Sequence, residues 1–186
     1  MRFLLIMLLF LQCKSGNKRI VNLSEIGWSF ELPSDLRFND SAFNHNGQIN
    51  KSSWDTSQYD DRSRVELFWI KPEPNNYFNA IVYIDSSDSK KWETNVIADS
   101  RFYIGFVTQT PQLKLLDSLI SIENIDGINF QKEYIKIYNT AKRDTTHSYK
   151  FSRKYKNYSI NINIRYKNKD LGNKLMGILY TSKFDK

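Results

Sequence analysis

The chain of 186 residues contains one cysteine, Cys13, and two histidines, His45 and His147, and these few residues bound its chemistry. With no second histidine at ligand spacing, a zinc site would need carboxylates for most of its ligands, which is uncommon. Both histidines therefore read as surface residues. His45 shares a polar stretch with Asp40, Asp55, Asp60 and Asp61, but the spacing is not that of a calcium-binding loop. No metal and no other cofactor is expected. A serine nucleophile needs a base and an orienting acid, yet no Gly-x-Ser-x-Gly turn marks out any serine. The glycine-rich loops that cradle phosphates are absent too. Asp60 and Glu66 are the nearest approach to a glycosidase carboxylate pair, whose separation only a fold can set. The expectation is a protein that is not an enzyme.

Binding residues are easier to nominate. Residues 1–110 carry 12 Lys and Arg against 13 Asp and Glu, a net −1, whereas residues 111–186 carry 15 against 7, a net +8. Lys132, Lys136, Lys150, Arg153, Lys154 and Arg165 form the candidate basic face, interleaved with Tyr134, Tyr138, Tyr149 and Tyr155. Such a surface attracts anionic headgroups or an acidic protein. The plainer alternative is a solvated sheet edge guarded by lysine. A second candidate lies in the polar stretch 39–62, where Trp54 and Tyr59, if exposed, have the character of contact anchors for a protein, a glycan or another small ligand.

The N-terminus says where such a surface would work. Phe3 to Leu11 is an unbroken apolar run of nine residues behind Arg2, about 14 Å as a helix and so roughly half of a hydrocarbon core. That is a signal-peptide segment and not a membrane span. It ends in Phe10-Leu11-Gln12-Cys13, which resembles the lipobox of bacterial lipoproteins, with Phe10 and Gln12 in place of the usual Leu and small residue. Residues 1–12 are then a signal peptide, Cys13 the acylated first mature residue and the link to the membrane, 13–23 a tether, and 24–186 a single domain. Acylation leaves no thiol for a disulfide, a redox step or a nucleophile. The bacterial cell envelope is the expected location, and a protein or anionic envelope component the expected partner. Lys14 stands where some bacteria use Asp to retain lipoproteins at the inner membrane, which favours the outer one. In a cytosolic protein the lysine–tyrosine mixture would point to nucleic acid; the leader sets that aside.

The elements that must position these residues follow from periodicity. Ile26 to Leu32 alternates up to Pro33, giving a first strand. Val65–Ile70 and Phe78–Ile84 flank a Pro- and Asn-rich turn as a hairpin. Asp85 to Ser89 supplies caps for a helix over Lys90–Thr108. Leu113–Ile125, Gly127–Tyr138, Ser148–Tyr155 and Tyr158–Tyr166 form an antiparallel meander, with Asp126-Gly127 as its strongest turn signal. Ile128 and Phe130 differ in parity from Ile135 and Ile137, so one continuous apolar face needs a bulge near 132–134. Leu171, Leu175, Ile178 and Leu179 make the apolar stripe of a closing helix. The fold class is α+β, an antiparallel β-sheet flanked by helices.

This sequence of elements resembles the PsbP-like family. The likeness rests on Gly27-Trp28-Ser-Phe-Glu-Leu-Pro33, the central helix, Ile128-Asn-Phe130 after Asp126-Gly127, and the ending of strand, helix and Thr181-Ser-Lys-Phe184. It spans about residues 24 to 185 and implies an α-β-α sandwich. The family includes a luminal photosystem II subunit, Ran-binding relatives and many small bacterial lipoproteins. Its members mostly bind proteins and share no catalytic motif, so the resemblance implies a non-catalytic, macromolecule-binding domain and assigns no residue a role.

Overall fold

A computed structural model describes residues 19–39, 42, 46–50 and 64–185. Along these, β1 (Arg19–Leu23), β2 (Trp28–Leu32), β3 (Phe38–Asn39), β4 (Arg64–Glu73) and β5 (Asn76–Ile84) precede α1 (Ser89–Gln109). Then come β6 (Leu113–Ile125), β7 (Ile128–Asn139), β8 (Asp144–Tyr155), β9 (Tyr158–Tyr166), α2 (Lys169–Tyr180) and β10 (Lys183–Phe184). Seven strands form an antiparallel sheet in the order β3-β4-β5-β9-β8-β7-β6, and β1-β2-β10 form a small second sheet.

β9 runs through the middle of the large sheet, between β5 and β8. Its Ile160, Ile162 and Ile164 are fully buried beside Val82, Ala80 and Phe78 of β5, and the small sheet and α2 pack over them. Each such side chain contributes about 1.5–3 kcal/mol on burial. This is the core face. Trp28 lies at its centre, 5.0–6.2 Å from the rings of Phe30, Phe68, Phe78 and Phe184. α1 lies on the opposite face against β6, β7 and β8, where Val107 packs on Ile135 and Ile137. The fold is thus α+β, an antiparallel sheet with helices on both sides.

Local chemistry explains the joints. Asp126 and Gly127 both have positive φ (53° and 79°), which suits the tight β6–β7 hairpin. The Asp88 carboxylate accepts from the Lys91 N–H to start α1, and Asn168 accepts from the N–H groups of Asp170 and Leu171 to start α2. Gly27 sits at φ 57° before β2, and a Cβ there would lie 2.7 Å from Asp185 Cβ, so the chain end closes over a glycine.

Three expectations need correction. β7 has no bulge: Phe130 belongs to the core face and Ile135 and Ile137 to the α1 face, because both faces of the sheet are covered. The register shift lies in β6, between Leu115 and Asp117. Residues 19–23, assigned to the tether, form β1 on β2, with Val21 and Leu23 buried. And β4 runs on to Glu73, through Pro72, so the expected long turn shrinks. Cys13, His45, Trp54 and Tyr59 lie outside the described residues.

Candidate functional site

Strand register divides the candidate basic face in two. Lys132 and Lys136 stand opposite Phe151 and His147, on the core face. Lys150, Lys154 and Arg165 stand opposite Asn163, Ser159 and Ser148, on the α1 face. Side chains of neighbouring parity cannot share a face. Several of the charges are also matched within the chain. Lys132 pairs with Glu123 at 2.9 Å, Lys150 with Glu133 at 3.2 Å, and Lys154 with Asp85 at 3.5 Å. Burial pushes the Asp85 carboxyl up, but bonds from Ser87 and the charge of Lys154 outweigh it and hold the group below its ordinary value.

Arg153 leaves the candidate surface altogether. It is 3 % exposed, with its guanidinium 4.8 Å from the Tyr155 ring, 5.1 Å from Phe184 and 5.9 Å from Phe130. Its guanidinium donates to the Asp185 carbonyl at 3.2 Å, and among the described residues Nε and Nη1 have no partner. Arg153 shares parity with Phe151 and Tyr155 on β8, which puts it on the aromatic side of the strand.

Two surfaces emerge in place of the single one. The first is a ledge on the core face of β6, β7 and β8. One cross-strand row is Leu119, Tyr134 and Tyr149; the next is Asp117, Lys136, His147 and Tyr166. Tyr134 and Tyr149 lie 4.7 Å apart, His147 stacks on Tyr166 at 5.1 Å, and the Tyr134 hydroxyl meets His147 Nδ1 at 3.1 Å. Burial, aided by the bond with Tyr166, pushes the Tyr149 hydroxyl far above its ordinary value. Burial and Lys136 hold His147 below its own, so the imidazole is neutral at pH 7. Among the described residues no carboxylate is bonded to it, and burial raises the hydroxyls of Tyr134 and Tyr149 above their ordinary value, so both stay protonated. The ledge offers ring faces and hydrogen-bond donors rather than an acid–base pair.

The second is a cleft of about 230 Å³ between α1 and the sheet, lined by Asn95 and Asp99 of the helix and by Tyr83, Ser152, Asn161 and Asn163 of the strands, among others. Trp92 closes one end, donating from Nε1 to Ser159 Oγ at 2.8 Å. Ser152 donates to Asn161 Oδ1, and Asn163 Nδ2 to Asn79 Oδ1. A helix–sheet seam is ordinarily apolar, as it is around Val107; in the cleft Ile81, Trp92 and Val96 share the lining with the polar side chains. The sequence signal that could have found the cleft is the alternation of Ser159, Asn161 and Asn163 on one face of β9, the face that α1 covers. Among the described residues no group of three or more His, Cys, Asp or Glu could hold a metal ion, and no helix is long and apolar enough to cross a membrane.

The sequence matches no family model and no curated protein. Solved structures do match. The solution structure of cyanobacterial PsbP (CyanoP) from Synechocystis sp. PCC 6803 is similar at TM-score 0.57 and 10 % identity, over 94 % of this chain and 96 % of that one. LpqN of Mycobacterium tuberculosis, a protein involved in cell envelope biogenesis, matches at TM-score 0.44 and 9 % identity, over 91 % of each chain. PA94 of Pseudomonas aeruginosa, a protein of unknown function, matches at 0.36 and 13 %, over 87 % of this chain and 91 % of its own. What is shared with the cyanobacterial protein is the fold.

Proposed function

We infer that this is a lipid-anchored protein of the bacterial envelope whose domain binds another macromolecule and catalyses nothing. The observation that carries the binding role is the ledge, where Leu119, Tyr134, Tyr149 and His147 stand partly open beside Lys132 and Lys136. Half-exposed aromatic rings held rigid by stacking bring large contact area at little entropic cost, as interface anchors do. The anchor reading rests on Cys13 and the apolar run before it. The test is cross-linking in intact membranes, followed by capture of the tagged chain. A partner held by the natural chain and lost from a Tyr134→Ala, Lys136→Glu variant supports the reading; equal capture by both overturns it.

The polar cleft favours a second reading, a small polar ligand held between α1 and the sheet. Its seryl and amide side chains converge where packing alone would select apolar ones. Binding that raises the unfolding temperature of the natural chain but not of Asn161→Leu would favour it.

A further inference from the structure

Beyond that reading, we propose that the outer edge of β6 pairs antiparallel with β6 of a second copy of this chain, joining the two large sheets into one. β6 is the last strand of its sheet and, with 13 residues, its longest. Among the described residues no strand covers its far side, so alternate N–H and C=O groups point outward unpaired. Edges left free in solution are usually short or studded with lysine. This one holds a single lysine, Lys114, and exposes Leu116, Leu119 and Ile122 by 45 %, 51 % and 60 %. The lysines expected to guard an edge sit instead on β7 and β8, inside the sheet.

The sequence of β6 is complementary to itself in one register. Opposed residues of an antiparallel pair must share a sheet face. Leu119, Ser121 and Glu123 lie on the core face with Asp117 and, past the shift at Leu116, Lys114; Ser118, Ile120, Ile122 and Leu115 lie on the α1 face. With Leu119 on a two-fold axis it faces its own counterpart, Ser118 faces Ile120, and Asp117 faces Ser121. Skipping Leu116, Leu115 then faces Ile122 and Lys114 faces Glu123. Every pair matches in face, and the one cation meets an anion at both ends of the ladder, as a two-fold interface requires. Glu123 already accepts from Lys132 at 2.9 Å and from the Tyr180 hydroxyl at 3.3 Å, and each carboxylate oxygen has room for one more donor. Sliding the pairing one step in one direction sets Asp117 against Glu123. A step in the other direction leaves Lys114 without its acid. The charges therefore select a single alignment.

The experiment uses the full chain with Cys13→Ala and one new cysteine at each position from 117 to 121, under mild oxidation. Directly opposed residues have Cα atoms about 4.5–5.5 Å apart, within disulfide reach. Disulfide-linked dimer should form at Leu119→Cys and fall away at the other four positions. In light scattering, a dimer of the natural chain should become monomer with Leu119→Lys, and Lys114→Glu should weaken association about tenfold. Leu119 is exposed, so an unchanged circular dichroism spectrum excludes misfolding as the cause. A chain monomeric at all concentrations, a dimer indifferent to Leu119→Lys, or equal cross-linking at all five positions overturns the proposal.

Discussion

Replacing Arg153 separates what its charge contributes from what its bulk contributes. Three rings surround the guanidinium at 4.8–5.9 Å, each worth about 0.5–2 kcal/mol. Its bond to the Asp185 carbonyl adds about 1.5–3 kcal/mol, because one partner is charged. Against these stand the loss of water around a buried cation, several kcal/mol in effect, and two unpartnered donor nitrogens at about 1–3 kcal/mol each. The opposing ranges overlap, so the charge brings little net stability, and burial pulls the Arg153 pKa down against the pull of Tyr155 and Asp185. Arg153→Met, which fills the same slot without a charge, should leave stability within about 1 kcal/mol of the natural chain. Arg153→Ala should lose about 2–4 kcal/mol, because the space between Phe130, Tyr155 and Phe184 becomes a cavity. Urea unfolding reads both as shifts in midpoint at constant slope. If Met costs as much as Ala, the cation itself holds the C-terminal strand and the reasoning fails.

Other perturbations test other joints. Tyr158 donates to Glu25 Oε1 at 2.6 Å; burial, that bond and the Glu25 charge push its hydroxyl up to about 12. Its contribution is complete below pH 10 and lost as pH rises towards 12; Tyr158→Phe should flatten that alkaline loss while costing about 1 kcal/mol at neutral pH, which unfolding curves at several pH values will show. His147 has the opposite sense: the unfolded chain takes up its proton near pH 6.5 and the folded chain only at lower pH. Stability should thus fall as pH drops below 6.5, less so in His147→Gln, with midpoints across that window as the check. A Cβ on Gly172 would lie 2.5 Å from the Tyr166 ring, whereas Gly177 has nothing within 4 Å. Gly177→Ala should stabilise the chain by up to about 1 kcal/mol through helix propensity and so raise the unfolding temperature; Gly172→Ala should lower it, because the collision costs about 1–3 kcal/mol.

Much of the fold was legible because the meander writes its period plainly. Leu113–Ile125 and Tyr158–Tyr166 were readable to the residue, and the stripe Leu171, Leu175, Ile178, Leu179 marked the closing helix. Alternation tells which residues share a face but not what covers that face. Nothing in the alternation of Ser159, Asn161 and Asn163 shows that α1 stands over them, and Ile135 and Ile137 called for a bulge although a second cluster awaited them under Val107. Charge misled at Arg153, where parity with Phe151 and Tyr155 carried the correct signal. β1 escaped notice because Val21 and Leu23 supply only two alternating apolar residues after a basic stretch. Ion pairs between strands, such as Lys150 with Glu133, depend on register and were beyond a linear reading.

The most direct test of the account is the intact mass of the chain extracted from membranes of a bacterial host. The account predicts a mature species that begins at Cys13 and carries an acylated glyceryl adduct, absent when Cys13→Ala is expressed. A chain retaining residues 1–12, or one cleaved there without the adduct, would contradict it.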